Sequence, residues 1–284
     1  MSGGRDLGSL VEAVTVVAAT AARRILDIYE TDFEVHRKVD ETPVTAADLA
    51  AQEVIVDALA RITPGVPVIS EEARAPDLAR RRGWSELWLV DPLDGTRGFV
   101  GRDGEFAVNI ALVEAGRPIL GVVWLPAWQT CYRAVRGSGA TKREMGASPR
   151  PIRTRPMRAG ELTVVTSKSR RNPLVAELID RCRPREVLRV GSAYKSCLVA
   201  EGRADVYPGF SPTSEWDTAA AQCIVEEAGG VLVDLDLAPL RYNRGHTLGN
   251  PRFLALGDPR ADWERMLGEV LAASDHAAGP GPSC

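Results

Sequence analysis

Residues 87–96 read Leu-Trp-Leu-Val-Asp-Pro-Leu-Asp-Gly-Thr, and they constrain the fold more than any other stretch. Leu87 to Val90 is a short unbroken apolar run of the kind a buried strand has. The run breaks on Asp91-Pro92-Leu93-Asp94-Gly95-Thr96, where Pro and Gly predict a tight turn at the strand's carboxyl end. That turn offers the carboxylates of Asp91 and Asp94, the carbonyl of Leu93 and the amides of Gly95 and Thr96. Carboxylates with a carbonyl form an oxygen set for a hard cation such as Mg²⁺. Amides opening from a Gly turn suit an oxyanion. A solvated loop uses the same residue types, so the turn alone does not decide between them.

The chain before this turn predicts a helix over 7–29, from apolar residues at helical spacing. A polar loop or hairpin follows from Thr31 to Pro43, then Thr45 and Asp48 in capping-box spacing, with a helix to Ile62. A strand from Val66 to Ile69 ends on Ser70-Glu71-Glu72, and 73–86 reads as a surface excursion with a short helix. After the turn, 106–112, 119–125 and 131–135 read as an antiparallel meander. Residues 137–160 read as loop and as the boundary between a first domain (1–150) and a second (151–275), with 276–284 a flexible tail. The second half alternates strands (162–166, 187–190, 205–207, 231–234) with helices (173–182, 193–201, 218–228, 261–272), which is an α/β layer.

Composition removes several classes of function. A net charge of −3 gives no electrostatic footprint for nucleic acid or an anionic membrane. The five cysteines are scattered with no C-x-x-C, against a disulfide framework or zinc cluster and in favour of a reducing cytoplasm. No signal-peptide pattern and no transmembrane run is present. His36, His246 and His276 lack metal-ligand spacing, and there is no P-loop or dinucleotide-binding glycine motif.

What remains is acid. Glu71, Glu72, Asp91 and Asp94 stand at strand ends, and Asp217 stands at a helix start, where capping alone would also explain it. Carboxylates gathered in one pocket need cations to offset their repulsion. Divalent ions there lower the pKa of water and neutralise a leaving oxygen, as phosphate monoester hydrolysis requires.

An Asp in the Val44–Asp48 stretch, then Glu71-Glu72, then Asp91-Pro92-Leu93-Asp94-Gly95-Thr96, then Trp216-Asp217, in that order, resemble the signature of the inositol monophosphatase superfamily of Mg²⁺-dependent, lithium-sensitive phosphatases. The likeness runs from the first helix to about Pro251. It implies a layered αβαβα sandwich, of mixed α/β (α+β) class. It further implies that Glu71, Asp91 and the Leu93 carbonyl bind one Mg²⁺ that activates water, and that Asp91, Asp94 and Asp217 bind a second. Glu71, with Glu72 nearby, would hold a third. Thr96, hydrogen-bonded to Asp48, would help to take the water's proton, the Gly95 and Thr96 amides would hold the phosphate, and the loop around Lys38 and Asp40 would close over the site.

Three stretches (42–48, 101–112 and 191–202) narrow the resemblance to the superfamily's 3′(2′),5′-bisphosphate nucleotidases. Gly191, Ser192, Ala193 and Lys195 then fall on positions assigned to the nucleotide, with Lys195 a cation for a second phosphate away from the metals. The implied activity is hydrolysis of adenosine 3′,5′-bisphosphate to AMP in sulfur assimilation. The implied setting is the cytoplasm, with loose association to the inner membrane face and a homodimer both left open. An inositol-phosphate or sugar-phosphate phosphatase is the alternative enzyme, and an RNA-polymerase-associated factor the alternative outside enzymes. Two departures stand out: Gly98 in place of an acidic residue, and Gly209 where similar proteins often carry Arg.

Overall fold

The computed structural model describes residues 5–37, 43–73, 78–158, 160–168 and 172–268. The Lys38–Asp40 loop and the 276–284 tail lie outside them. Helix α1 (Leu7–Tyr29) opens the chain, capped by Asp6. A hairpin of β1 (Val35–Arg37) and β2 (Pro43–Thr45) leads into α2 (Ala46–Ile62), whose capping box joins Thr45 and Asp48. Then come β3 (Val68–Ser70), α3 (Leu78–Arg82), β4 (Glu86–Asp94) and α4 (Thr96–Val100). The meander is β5 (Ala107–Glu114), β6 (Arg117–Leu125), β7 (Thr130–Val135), β8 (Gly139–Arg143) and β9 (Arg150–Ile152). The second half begins with β10 (Thr163–Ser167), α5 (Pro173–Cys182), β11 (Glu186–Val190) and α6 (Tyr194–Ala200). It continues with β12 (Val206–Gly209), α7 (Glu215–Glu227), β13 (Val231–Asp234) and β14 (Phe253–Leu256), and a last helix covers 263–268.

Two sheets form. One has seven strands in the order β3-β4-β5-β6-β7-β8-β9, antiparallel except for the β3/β4 pair. The other has five, in the order β11-β10-β12-β14-β13, with β10 parallel to β11 and β12. Alternate residues of β4 feed different cores. Trp88 and Val90 join α1 and α2 on one face, while Leu87 and Leu89 join α6 and α7 on the other. That double burial is why Leu87–Val90 is apolar without alternation. Helix α7 lies between the sheets, and its Ala219, Ala220 and Ala221 let both come close. Val175, Leu178, Trp263 and Leu267 cover the outer face of the five-stranded sheet. The layers are thus αβαβα, as expected.

Four expectations need correction. Residues 137–160 are not all loop, because β8 and β9 extend the sheet there. The strand does not stop at Asp91 but runs through a bulge to Asp94. Helix α7 starts at Glu215 rather than 218, because Ser214 caps it. The sequence gives no sign of the strand β14, and the predicted 261–272 helix starts at 263, its residues 269–272 lying outside the described ones.

Candidate active site

The acids meet because of strand register. Ser70 of β3 pairs with Val90 of parallel β4, and the Glu71 amide continues the ladder to the Val90 carbonyl at 3.1 Å. Glu71 and Asp91 therefore leave the sheet side by side. Beyond Asp91 the register with β5 slips, so that Asp91 faces Asn109 and Asp94 faces Ala107. Pro92 has no amide to donate, and Asp91 Oδ1 accepts the Leu93 amide at 3.0 Å, folding the bulge. Gly95 then turns at φ +89°, where a Cβ would sit 2.8 Å from the Glu105 carbonyl oxygen.

Asp217 arrives from the other half of the chain as the third residue of α7, not as its N-cap. Its Oδ2 accepts the Ser214 amide at 2.8 Å. Oxygens of Glu71, Asp91 and Asp217 lie within 4.8 Å of one another. Asp91 is 1% exposed. Burial, then the charges of Glu71, Asp94 and Asp217, hold its carboxyl well above the usual carboxylate range. Burial, then Asp94 and Glu71, push Asp217 up to about 7. Burial raises Asp94 as well, opposed by Lys195 and by hydrogen bonds from the Ala193 amide and Asn109. A buried all-oxygen cluster that resists ionisation by itself fits a divalent cation, which supplies the missing positive charge.

The cluster opens into a cleft of about 980 Å³ lined by Glu71, Asp91, Leu93, Asp94, Gly95, Thr96 and Asp217 from the acid site. Gly191, Ser192, Ala193 and Lys195 line it too. The substrate loop is tied directly to the acids and to their turn. The Ala193 amide donates to Asp94 Oδ2, and the Gly191 amide donates to Glu105 Oε2 at 2.8 Å. Lys195 is 8% exposed, its Nζ donating to the Ser192 carbonyl at 2.6 Å and lying 5.2 Å over the Tyr207 ring. Its charge opposes the upward push of burial on the Asp94 carboxyl. The contact of the Ala193 amide with Asp94 has no local trace in the sequence, because the bulge that brings Asp94 to the 191–193 loop has no sequence signal.

Asp48 and Glu72 do not line the cleft. Asp48 is buried, and its Oδ2 accepts the Thr45 amide and hydroxyl at 2.7 and 2.8 Å. Among the described residues, the Thr96 hydroxyl donates to the Leu93 carbonyl at 3.3 Å rather than to Asp48, although α4 packs against β2.

Sequence reasoning passed over Lys168, Glu105 and Asn109. Lys168, at the end of β10, reaches across the cleft mouth to Asp103 at 3.2 Å and Glu105 at 3.6 Å. Asn109 Nδ2 lies 3.4 Å from Asp94 Oδ2, and the strand pairing with Asp91 was the signal available for it. Both glycine departures have a steric basis. A Cβ on Gly98 would lie 2.7 Å from Asp103 Oδ1, and one on Gly209 would lie 2.3 Å from the Phe253 ring.

The model of the Inositol monophosphatase family matches residues 6–274. The 3′(2′),5′-bisphosphate nucleotidase CysQ of Salmonella typhimurium is 42% identical over 246 residues, covering 86% of this chain and 98% of that one. The Haemophilus influenzae protein of the same name is 34% identical over 259 residues, covering 91% and 96%. Among solved structures, CysQ from Bacteroides thetaiotaomicron, a bacterial member of the inositol monophosphatase family, superposes with a TM-score of 0.78 at 38% identity, covering 89% of this chain and 98% of that chain. The IMPase of Thermotoga maritima gives 0.76 at 25% identity, covering 96% and 99%. Sequence signature, layered fold and acidic cleft agree with these likenesses, and the chain belongs to the inositol monophosphatase family.

Proposed function

We infer that the chain is a 3′(2′),5′-bisphosphate nucleotidase, which hydrolyses the 3′-phosphate of adenosine 3′,5′-bisphosphate to AMP and phosphate in the cytoplasm. The observation that carries the reading is the buried Glu71–Asp91–Asp217 cluster, opening on one cleft with the 191–195 loop, in a chain 42% identical to a CysQ nucleotidase. In this reading 1–150 is the unit that brings most of the metal ligands, and 151–275 the unit that brings Asp217 and the substrate loop.

Glu71, Asp91, Asp94, Asp217 and the Leu93 carbonyl would hold two Mg²⁺ ions, with Glu72 beside a third, and Li⁺ would inhibit by competing for one of these places. Bound Mg²⁺ supplies charge neutralisation for the phosphate and acidifies water. The protein's own groups do the rest. The Gly95 and Thr96 amides hold the phosphate oxygens at the turn. The Thr96 hydroxyl orients the attacking water and helps to take its proton. Water oxygen bonds to phosphorus in line as the P–O3′ bond breaks, and the ribose oxygen leaves as a hydroxyl after taking a proton. The Gly191–Ala193 loop and Lys195 bind the nucleotide, the Lys195 charge also opposing the rise that burial imposes on Asp94.

A phosphate-release panel tests the substrate. Adenosine 3′,5′-bisphosphate, inositol 1-phosphate and fructose 1,6-bisphosphate would be compared with Mg²⁺, and with Mg²⁺ plus Li⁺. The expected result is the highest kcat/KM on the nucleotide and loss of rate with Li⁺. Preference for the inositol ester would overturn the nucleotide assignment.

A further inference from the structure

Arg81 and Glu215 are buried charges, 2% and 3% exposed, for which the chemistry above has no use. Both bind Asn243. The Asn243 backbone is left-handed, with φ +56°, a conformation Asn tolerates. In it, the Asn243 amide donates to both carboxylate oxygens of Glu215, each at 2.9 Å. The Asn243 side chain grips Arg81 twice. Its Oδ1 accepts from a guanidinium nitrogen at 3.0 Å, and its Nδ2 donates to the Arg81 carbonyl at 2.9 Å. The second guanidinium arm donates to the His246 carbonyl at 3.4 Å, and Arg81 Nε is buried with no partner among the described residues. Burying an incompletely bonded guanidinium and a carboxylate costs stability, so the arrangement serves geometry better than it serves folding energy.

The geometry concerns Asp217. Glu71 and Asp91 are fixed to each other by one sheet, but Asp217 comes from a different element, the first turn of α7, so its distance from them is set by what holds the start of that helix. Residues 242–250 bracket the start of that helix. The Tyr242 amide and the Arg244 guanidinium donate to the carbonyls of Gly116 and Ala115 at 3.1 and 2.8 Å, anchoring the bracket to the β5–β6 turn. At its other end the Leu248 carbonyl accepts the Glu215 amide at 2.7 Å, and Asn250 Nδ2 donates to the Ser214 carbonyl at 2.6 Å. Arg81 joins the bracket to α3, in the segment that connects Glu71 to β4.

We infer that the Arg81–Asn243–Glu215 relay is a positioning device that sets Asp217 against Glu71 and Asp91, and through that spacing fixes the affinity for divalent cation. The inference rests on the reading that these acids hold Mg²⁺. Asn243→Gly tests it, because glycine keeps the left-handed backbone and its donor to Glu215 while losing both side-chain links to Arg81. Arg81→Lys is the second variant, keeping the charge but not the two-armed fork.

Mg²⁺ binding would be measured by calorimetry on folded protein, with phosphate release run in parallel. The expected result is Mg²⁺ affinity weakened about tenfold in each variant, the scale of losing an outer partner of a metal ligand. Half-saturating Mg²⁺ for turnover rises with it, KM at saturating Mg²⁺ is retained, and the double variant is no weaker than Asn243→Gly alone. Leu178→Ala, in the outer core, should lower Tm without touching Mg²⁺ affinity. Wild-type isotherms in both relay variants, whatever their Tm, would overturn the inference. A wild-type protein that takes up no Mg²⁺ would instead overturn the metal reading beneath it, so the two failures are distinguishable.

Discussion

Asp217→Asn should make the metal-free protein more stable while weakening its response to Mg²⁺. In the folded chain the Asp217 carboxyl is pushed from 3.8 up to about 7, first by burial and then by Asp94 and Glu71. The folded state therefore binds more protons than the unfolded state between those two values. Stability falls as pH rises through that window and stays lowered above it. A shift of that size corresponds to about 4 kcal/mol at most, and relaxation of the other acids reduces it to roughly 2–4 kcal/mol. Asparagine removes the charge and keeps an oxygen to accept the Ser214 amide, so the helix cap survives. The assay is urea unfolding in EDTA at pH 5.0 and 8.0. At pH 8.0 the variant should exceed wild type by that amount, equivalent to roughly 3–7 °C in Tm for a chain of this size. At pH 5.0 the gap should narrow, because Asp217 is then largely protonated. Adding Mg²⁺ should stabilise wild type more than the variant, which keeps Glu71, Asp91 and the Leu93 carbonyl for one ion but loses a ligand of the second. A variant less stable than wild type at pH 8.0 in EDTA would refute the repulsion argument.

The other predictions follow the same geometry. Asp91→Asn should leave the protein folded and lower kcat by roughly a thousandfold; wild-type turnover would remove Asp91 from the metal site. Thr96→Ala should lower kcat by roughly a hundredfold with little change in KM, and a pure KM effect would contradict a role in orienting water. Lys195→Gln should raise KM for adenosine 3′,5′-bisphosphate by roughly tenfold, as loss of a charge-assisted hydrogen bond does. Equal effects on the bisphosphate and on adenosine 3′-monophosphate would place Lys195 on the acids rather than on the second phosphate.

The acids were legible in the sequence because each follows a strand or starts a helix, and those boundaries are marked by Pro, Gly and Ser. The layering was legible too, through the change from meander to alternating strands and helices. What the sequence hid was of two kinds. Short edge strands such as β8 and β9 carry Gly, Pro and charge in place of an alternating pattern, so they resembled a loop. Contacts between distant residues had no local trace. Arg81 and Asn243 are separated by 162 positions, and the contact of the Ala193 amide with Asp94 depends on a bulge that only the β4–β5 register reveals. Capping does not explain Asp217, since Ser214 takes the cap of α7 and Asp217 is its third residue.

The most direct test of the central claim is product analysis with protein stripped by EDTA and then given Mg²⁺, using adenosine 3′,5′-bisphosphate as substrate. The account predicts no phosphate release in EDTA, and restored release with adenosine 5′-monophosphate as the co-product once Mg²⁺ is added. Undiminished release in EDTA, or adenosine 3′-monophosphate as the product, would contradict it.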